Sequence, residues 1–284
     1  MFNFKRNSSL FIVHAGNKYP VELYPDITFS QRFQERSLKE KNLHRPNNLH
    51  DSAIIQTAEE GALNFTTALR HFSQLPIFLD LGVSFSGGTI DSFDVYVVLD
   101  NITYKLEKCI ISRLTFNLTR NDIVTVSVQI SFSKKSLFEA SIPGILQALS
   151  TNAVTPIVGL DVQINSTVLE NIAGISVEVA NEYKWLEHST MTSGISYPTE
   201  YVIGSRTVSG AVIQYLLDTN EADFSDSGTD STLDIAVTGY SGSLMDLALP
   251  SIVYTRRLNV DELISRAYDF RLNTNSGNAV SIIT

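Results

Sequence analysis

From Lys108 to Phe132 the chain alternates apolar and polar residues with a period of two, interrupted once by a polar tetrad. Ile110, Leu114, Phe116 and Leu118 lie before the tetrad and Ile123, Val126, Val128, Ile130 and Phe132 after it. Period two marks a strand with one buried face. Thr119, Arg120, Asn121 and Asp122 supply side chains that bond their own backbone in tight turns, so the segment predicts a β-hairpin. Shorter strands are expected at Leu10–Val13, Val21–Leu23, Ile27–Phe33, Glu59–Leu69, Phe93–Leu99 and the ITYKLEK segment that follows. Leu75–Phe85 is continuously apolar and fits a buried helix or a strand. Only Leu137–Ala153 spaces its apolar residues helically, at Ile145, Leu146 and Leu149, with Pro143 near its start.

A second hairpin of the same order, Leu247 to Asn273, closes the chain. VSGAVIQYLL alternates as EEGALNFTTAL does, and LDIAVTG is placed as FDVYVVL is, so four segments correspond in sequence order. Such internal correspondence predicts a duplicated β module. The expected division is 1–150 and 151–284, joined by a short helix or extended linker.

One stretch departs from this regularity. Gln31 to Asp51, within an arm expected over 31–57, carries Arg32, Arg36, Lys39, Lys41 and Arg45 against Glu35, Glu40 and Asp51, although the whole chain has a net charge of −9. Its apolar residues keep neither period, which predicts a long irregular arm. Loops of that length are usually functional or disordered. A basic arm on an acidic protein finds complementary surface on other copies, and docking on a neighbouring subunit is the sharper expectation.

With 43% hydrophobic and 18% charged residues in 284, the chain can bury a substantial core. The acidic balance argues against a surface that grips nucleic-acid phosphates, though not against one that lets DNA pass. Cys109 is the single cysteine and sits in an apolar run, as a small buried hydrophobe does. No apolar run is long enough for a membrane helix, and no signal peptide is evident.

Catalytic chemistry finds little to stand on. Asp223, Gly228 and Asp234 match positions one, six and twelve of a calcium loop, but Ser225 and Ser227 occupy ligand positions and strands flank it. A solvated acidic loop over Asp218–Asp234 is the plainer reading. Neither Gly82–Ser86 nor Gly239–Ser243 completes a nucleophile elbow. His14, His44, His50, His71 and His188 are scattered, without ligand spacing. Glu59 and Glu60, adjacent on a strand, are expected on opposite faces. Trp185 could line a carbohydrate groove, but single aromatics in alternating strands are more often core. The expectation is no enzyme, no cofactor and no metal.

The ITFSQRF strand with its arm and EEGALNFTTAL, the block from FDVYVVL to SFSKKSLFE, and IVGLDVQIN through VSGAVIQYLLD to the terminal hairpin resemble the tail tube proteins of long-tailed bacteriophages. The likeness is to the siphophage type with a duplicated tube module, from about Leu10 to Asn273. It implies a mainly β fold of two tandem tube-like β-sandwich or barrel modules. It also implies a structural virion protein made in the host cytoplasm, whose trimeric rings of pseudo-six-fold symmetry stack into a hollow conduit for DNA ejection. Partners would be other copies, the tape measure and distal tail proteins, and DNA passing without specific binding through a lumen of like charge. The arm residues Arg32, Arg36, Lys39, Lys41 and Arg45 would make the contact between rings. A distal-tail adaptor or tube initiator, or a double β-sandwich that binds a cell surface, are the alternatives.

Overall fold

The structure, a computed structural model, describes residues 8–22, 27–38, 52–69, 75–82, 90–148, 156–186, 195–216, 227–240, 242–260 and 264–273. The N-terminal half contains β1 (Ser8–His14), β2 (Asn17–Val21), β3 (Ile27–Leu38), β4 (Ser52–Ala68), α1 (Leu75–Gly82), β5 (Phe93–Leu99), β6 (Ile102–Thr119), β7 (Thr125–Phe132), β8 (Lys134–Leu137) and β9 (Ile145–Leu146). The C-terminal half contains β10 (Ile157–Ile164), β11 (Thr167–Leu169), β12 (Ile172–Leu186), β13 (Glu200–Tyr215), β14 (Ser227–Gly239), β15 (Gly242–Val260) and β16 (Ile264–Leu272). The fold is mainly β, as its alternation requires, and the strands form one large sheet that is not closed into a barrel.

The order of pairing occurs twice. In the first half hydrogen bonding runs β3-β4-β7-β6-β5-β1-β2, and in the second β12-β13-β16-β15-β14-β10-β11, all antiparallel. β6, from the first run, pairs with the first strand of the second, β12, from Arg113↔Ala180 to Thr119↔Gly174. Only one strand face can be polar where the other packs, so the buried residues recur every second position, as at Leu114, Phe116 and Leu118. They join a single core with Val177, Val179, Val212, Leu249 and Tyr268 of the other half.

Local chemistry explains the turns. β1 and β2 are joined by Ala15 and Gly16, both at positive φ, the backbone of a tight hairpin. In the turn after β6, Asn121 takes φ 65°, the Asp122 amide donates to the Thr119 carbonyl at 3.1 Å and the Ile123 amide to Asp122 Oδ1 at 2.8 Å.

Several expectations are corrected. Leu137–Ala148 is not helical: after β8 the chain runs extended and returns through β9, which pairs parallel to β2, with Gly144 at φ 99°. Ile145 and Leu146 are exposed, so their helical spacing reported no buried stripe. The short helix is α1 instead, where Pro76 suits a first turn and Phe78 and Leu81 are buried. The arm is not irregular from residue 31. β3 continues to Leu38 and β4 begins at Ser52, and β3 pairs with β4 from end to end, leaving 39–51 outside the described residues. Glu59 and Glu60 are both exposed, because the β3–β4 register shifts there and breaks the alternation. The acidic stretch is strand from Ser227 onward.

Candidate assembly interface

The β6–β12 junction shows how one edge of this sheet is closed. Seven residue pairs meet, and on the core face Leu114 faces Val179 and Phe116 faces Val177, all buried. On the opposite face Arg113 Nε lies 3.3 Å from Glu178 Oε1. Behind the junction Asn181 Nδ2 donates to the carbonyls of Gly82 and Ile111, both at 3.0 Å, and its Oδ1 accepts from Arg206 Nε at 2.8 Å. Burial lowers the Arg206 pKa to about 10. Trp185 is buried against the first half and donates through Nε1 to Ser131 Oγ at 2.8 Å. It is a core residue of this junction.

Two edges of the same sheet have no such partner among the described residues. β3 pairs only with β4. β15 pairs with β14 as far as Thr255, and from Arg256 to Val260 only its β16 side is occupied. The recurrence of pairing places these edges in correspondence with the junction. Gly61 opposite Phe132 matches Gly210 opposite Phe270, and counting along the ladders puts Leu258 at the place of Leu114. Leu114 is 0% exposed and Leu258 60%. Phe33 shares a face of β3 with Phe29 and Gln31, the face equivalent to that of Val177 and Val179, and is 40% exposed. Apolar residues therefore stand open at the positions whose counterparts are buried against each other.

The face of the central strands turned away from the core is polar. It carries hydroxyls and amides such as Asn64, Thr115, Asn117, Gln129, Ser176 and Ser209, all exposed or half-buried. Two arginine–carboxylate pairs lie on it: Arg113 with Glu178, and Arg257 with Asp269 through Nε at 2.5 Å and Nη2 at 3.0 Å. That hydrogen bond raises the Arg257 pKa.

Of the arm residues, Arg32 is exposed on β3 and Arg36 lies on the β3 ladder opposite Ile54. Lys39, Lys41 and Arg45 lie outside the described residues, as does Asp223. Gly228 and Asp234 are strand residues of β14, which removes the calcium-loop geometry. Among the described residues no group of three or more His, Cys, Asp or Glu could hold a metal ion. No described helix is long and apolar enough to cross a membrane. Cys109 is buried, donates to the Leu106 carbonyl, and has its pKa pushed well up by burial.

The free edges of β3 and β15 were not legible in the sequence, because nothing in an alternating strand says which edge lacks a partner. The exposed Leu258 and Phe33 look like any other inward residue until the neighbours are known.

In comparison with known proteins, the chain matches the Bacteriophage Baseplate Tube Protein Family over residues 1–283. No match was found among curated proteins.

Proposed function

Because the chain belongs to the bacteriophage baseplate tube protein family and is a structural component of the phage tail, we propose that it is a ring-forming tube subunit whose β15 edge pairs with the β3 edge of the next copy. The observation that carries this reading is the β6–β12 junction, which already joins the equivalent strands inside one chain. Repeating that ladder between copies covers Leu258 and Phe33 and closes both of these edges, which is what a ring achieves.

In this reading 1–150 and 151–284 are two modules of one kind, and three copies close a pseudo-six-fold ring. The polar face lines the channel. Its hydroxyls and the carboxylates that neutralise Arg113 and Arg257 weaken its hold on phosphate, a different device from a uniformly acidic lumen. Arg32, Arg36, Lys39, Lys41 and Arg45 serve the contact between stacked rings, of the siphophage kind. The other partners are the tape measure and distal tail proteins. The protein is made in the host cytoplasm, acts in the virion, and has no catalytic role.

The word baseplate in the family's designation favours a second reading, a single-layer tube initiator or adaptor at the distal end. Negative-stain electron microscopy over a concentration series separates the two. Long hollow stacks indicate the repeating subunit and isolated rings the initiator. Channel-free monomers at every concentration would overturn both.

A further inference from the structure

The N-terminal half contains a seat that the C-terminal half fills. β4 runs past the end of β7, and its open edge at Thr57 and Ala58 is taken by the stretch leading into β13. Thr57 bridges to Ser196 in parallel, and the Ala58 amide donates to the Ser196 carbonyl at 2.8 Å. Ser133 Oγ donates to the Pro198 carbonyl, and Lys108 Nζ to the Thr199 carbonyl at 2.8 Å.

The same seat recurs in the C-terminal half. From Gly61↔Phe132 and Gly210↔Phe270, and allowing for the register shift in β4 at Glu59 and Glu60, the ladders place Thr207 where Thr57 stands, Val208 where Ala58 stands and Arg271 where Ser133 stands. There the surface holds a cleft of about 210 Å³ lined by Arg206, Thr207, Val208, Val253, Arg271 and Leu272. β13 pairs with β16 only from Ser209 onward, so from Arg206 to Val208 no strand lies on that side among the described residues.

The strand pair that supplies the filling segment in the first seat, β12 and β13, is joined by residues 187–199. Its counterpart, β3 and β4, is joined by 39–51, a connection of the same length. Counted back from the start of the following strand, Asn48 corresponds to Ser196 and His50 to Pro198. Within one chain β3 lies at the far end of the central sheet from β15 and β16. The counterpart segment therefore has to come from another molecule.

We propose that the Arg206–Arg271 cleft is the seat for a second copy of this chain, and that the stretch leading into that copy's β4 enters it as residues 195–199 enter the first seat. This rests on the ring reading above, and it gives the β3–β4 hairpin a side-by-side role within a ring beyond any contact between rings.

Cysteine pairs test it on the full-length protein. Thr207→Cys chains are mixed with chains carrying Asn47→Cys, Asn48→Cys or Leu49→Cys and oxidised, while rings are scored by electron microscopy. The native Cys109 is buried and adds little background. Disulfide-linked heterodimers from at least one of the three mixtures are expected. The double variant in a single chain should give a ladder of linked copies. Wild-type rings with no cross-link in any mixture would overturn the seat and leave the ring reading standing. Absence of wild-type rings together with absence of cross-links would overturn both. Thr207→Trp, which fills the cleft, should raise the concentration needed for rings at least tenfold with circular dichroism unchanged. Ring formation by this variant at the wild-type concentration would count against the seat.

Discussion

Gly61 and Gly210 hold the same place in the two runs of pairing, and both are there because an aromatic ring lies over them. A Cβ on Gly61 would stand 2.1 Å from the Phe132 ring, and one on Gly210 2.1 Å from the Ser176 carbonyl oxygen and 2.6 Å from the Phe270 ring. The second site is the tighter, since a backbone atom cannot turn away. Gly210→Ala should therefore destabilise the fold by roughly 2–3 kcal/mol in denaturant titration, and Gly61→Ala by less. Asn181 makes a second residue-scale test. Asn181→Leu leaves two carbonyls and the Arg206 guanidinium to find new partners in a buried place, at a cost of about 2–4 kcal/mol. Cys109 supplies a pH test. Burial raises its folded pKa well above the unfolded value of about 9, so its contribution to stability is complete below pH 9 and is lost as pH rises beyond it. Tyr96, Tyr183 and Tyr201 are raised by burial too and act in the same direction. Cys109→Ala should then flatten, without abolishing, the fall in stability between about pH 9 and 11 measured by urea unfolding.

At the scale of elements, alternation in the sequence identified β5, β6, β7, β10, β15 and β16 because each buries one face. It understated β3, whose ladder to β4 runs on past Phe33 through residues with no apolar period. Backbone hydrogen bonding does not require an apolar face, so a hairpin can outrun its pattern. The opposite error befell Leu137–Ala148, where a helical spacing is occupied by extended chain in which Leu137, Ile145 and Leu146 are exposed. The element-scale prediction concerns the two free edges. Leu258→Asp or Phe33→Asp should leave the monomer's thermal midpoint within about 2 °C, because both side chains are already open to solvent, and should abolish rings in size-exclusion chromatography. Leu114→Asp, at the buried counterpart, should instead unfold the protein.

For the whole molecule, the ring reading makes the polar face the one past which polyanions move. Glu178→Gln with Asp269→Asn removes the carboxylates beside Arg113 and Arg257 and leaves their cations unmatched. Assembled particles of this variant should retain DNA at low salt and release it as salt is raised, in a filter-binding assay in which the wild type retains little. Equal retention by both would show that this face does not line the passage. The net charge of −9 thus says little about this face, because charge summed over a chain does not locate itself.

The sequence by itself determined a mainly β protein, its hairpins, the correspondence between its halves and the absence of a complete catalytic motif, because alternation and turn chemistry are local and survive in one dimension. Tertiary structure alone decided that β6 and β12 join the halves into one sheet, that β3 and the last five residues of β15 lack a partner on one side among the described residues, and that the seat filled in the N-terminal half holds no described strand in the C-terminal half. Those are relations between strands distant in sequence, and a strand carries the same period whether its edge is paired within the chain or left for another copy.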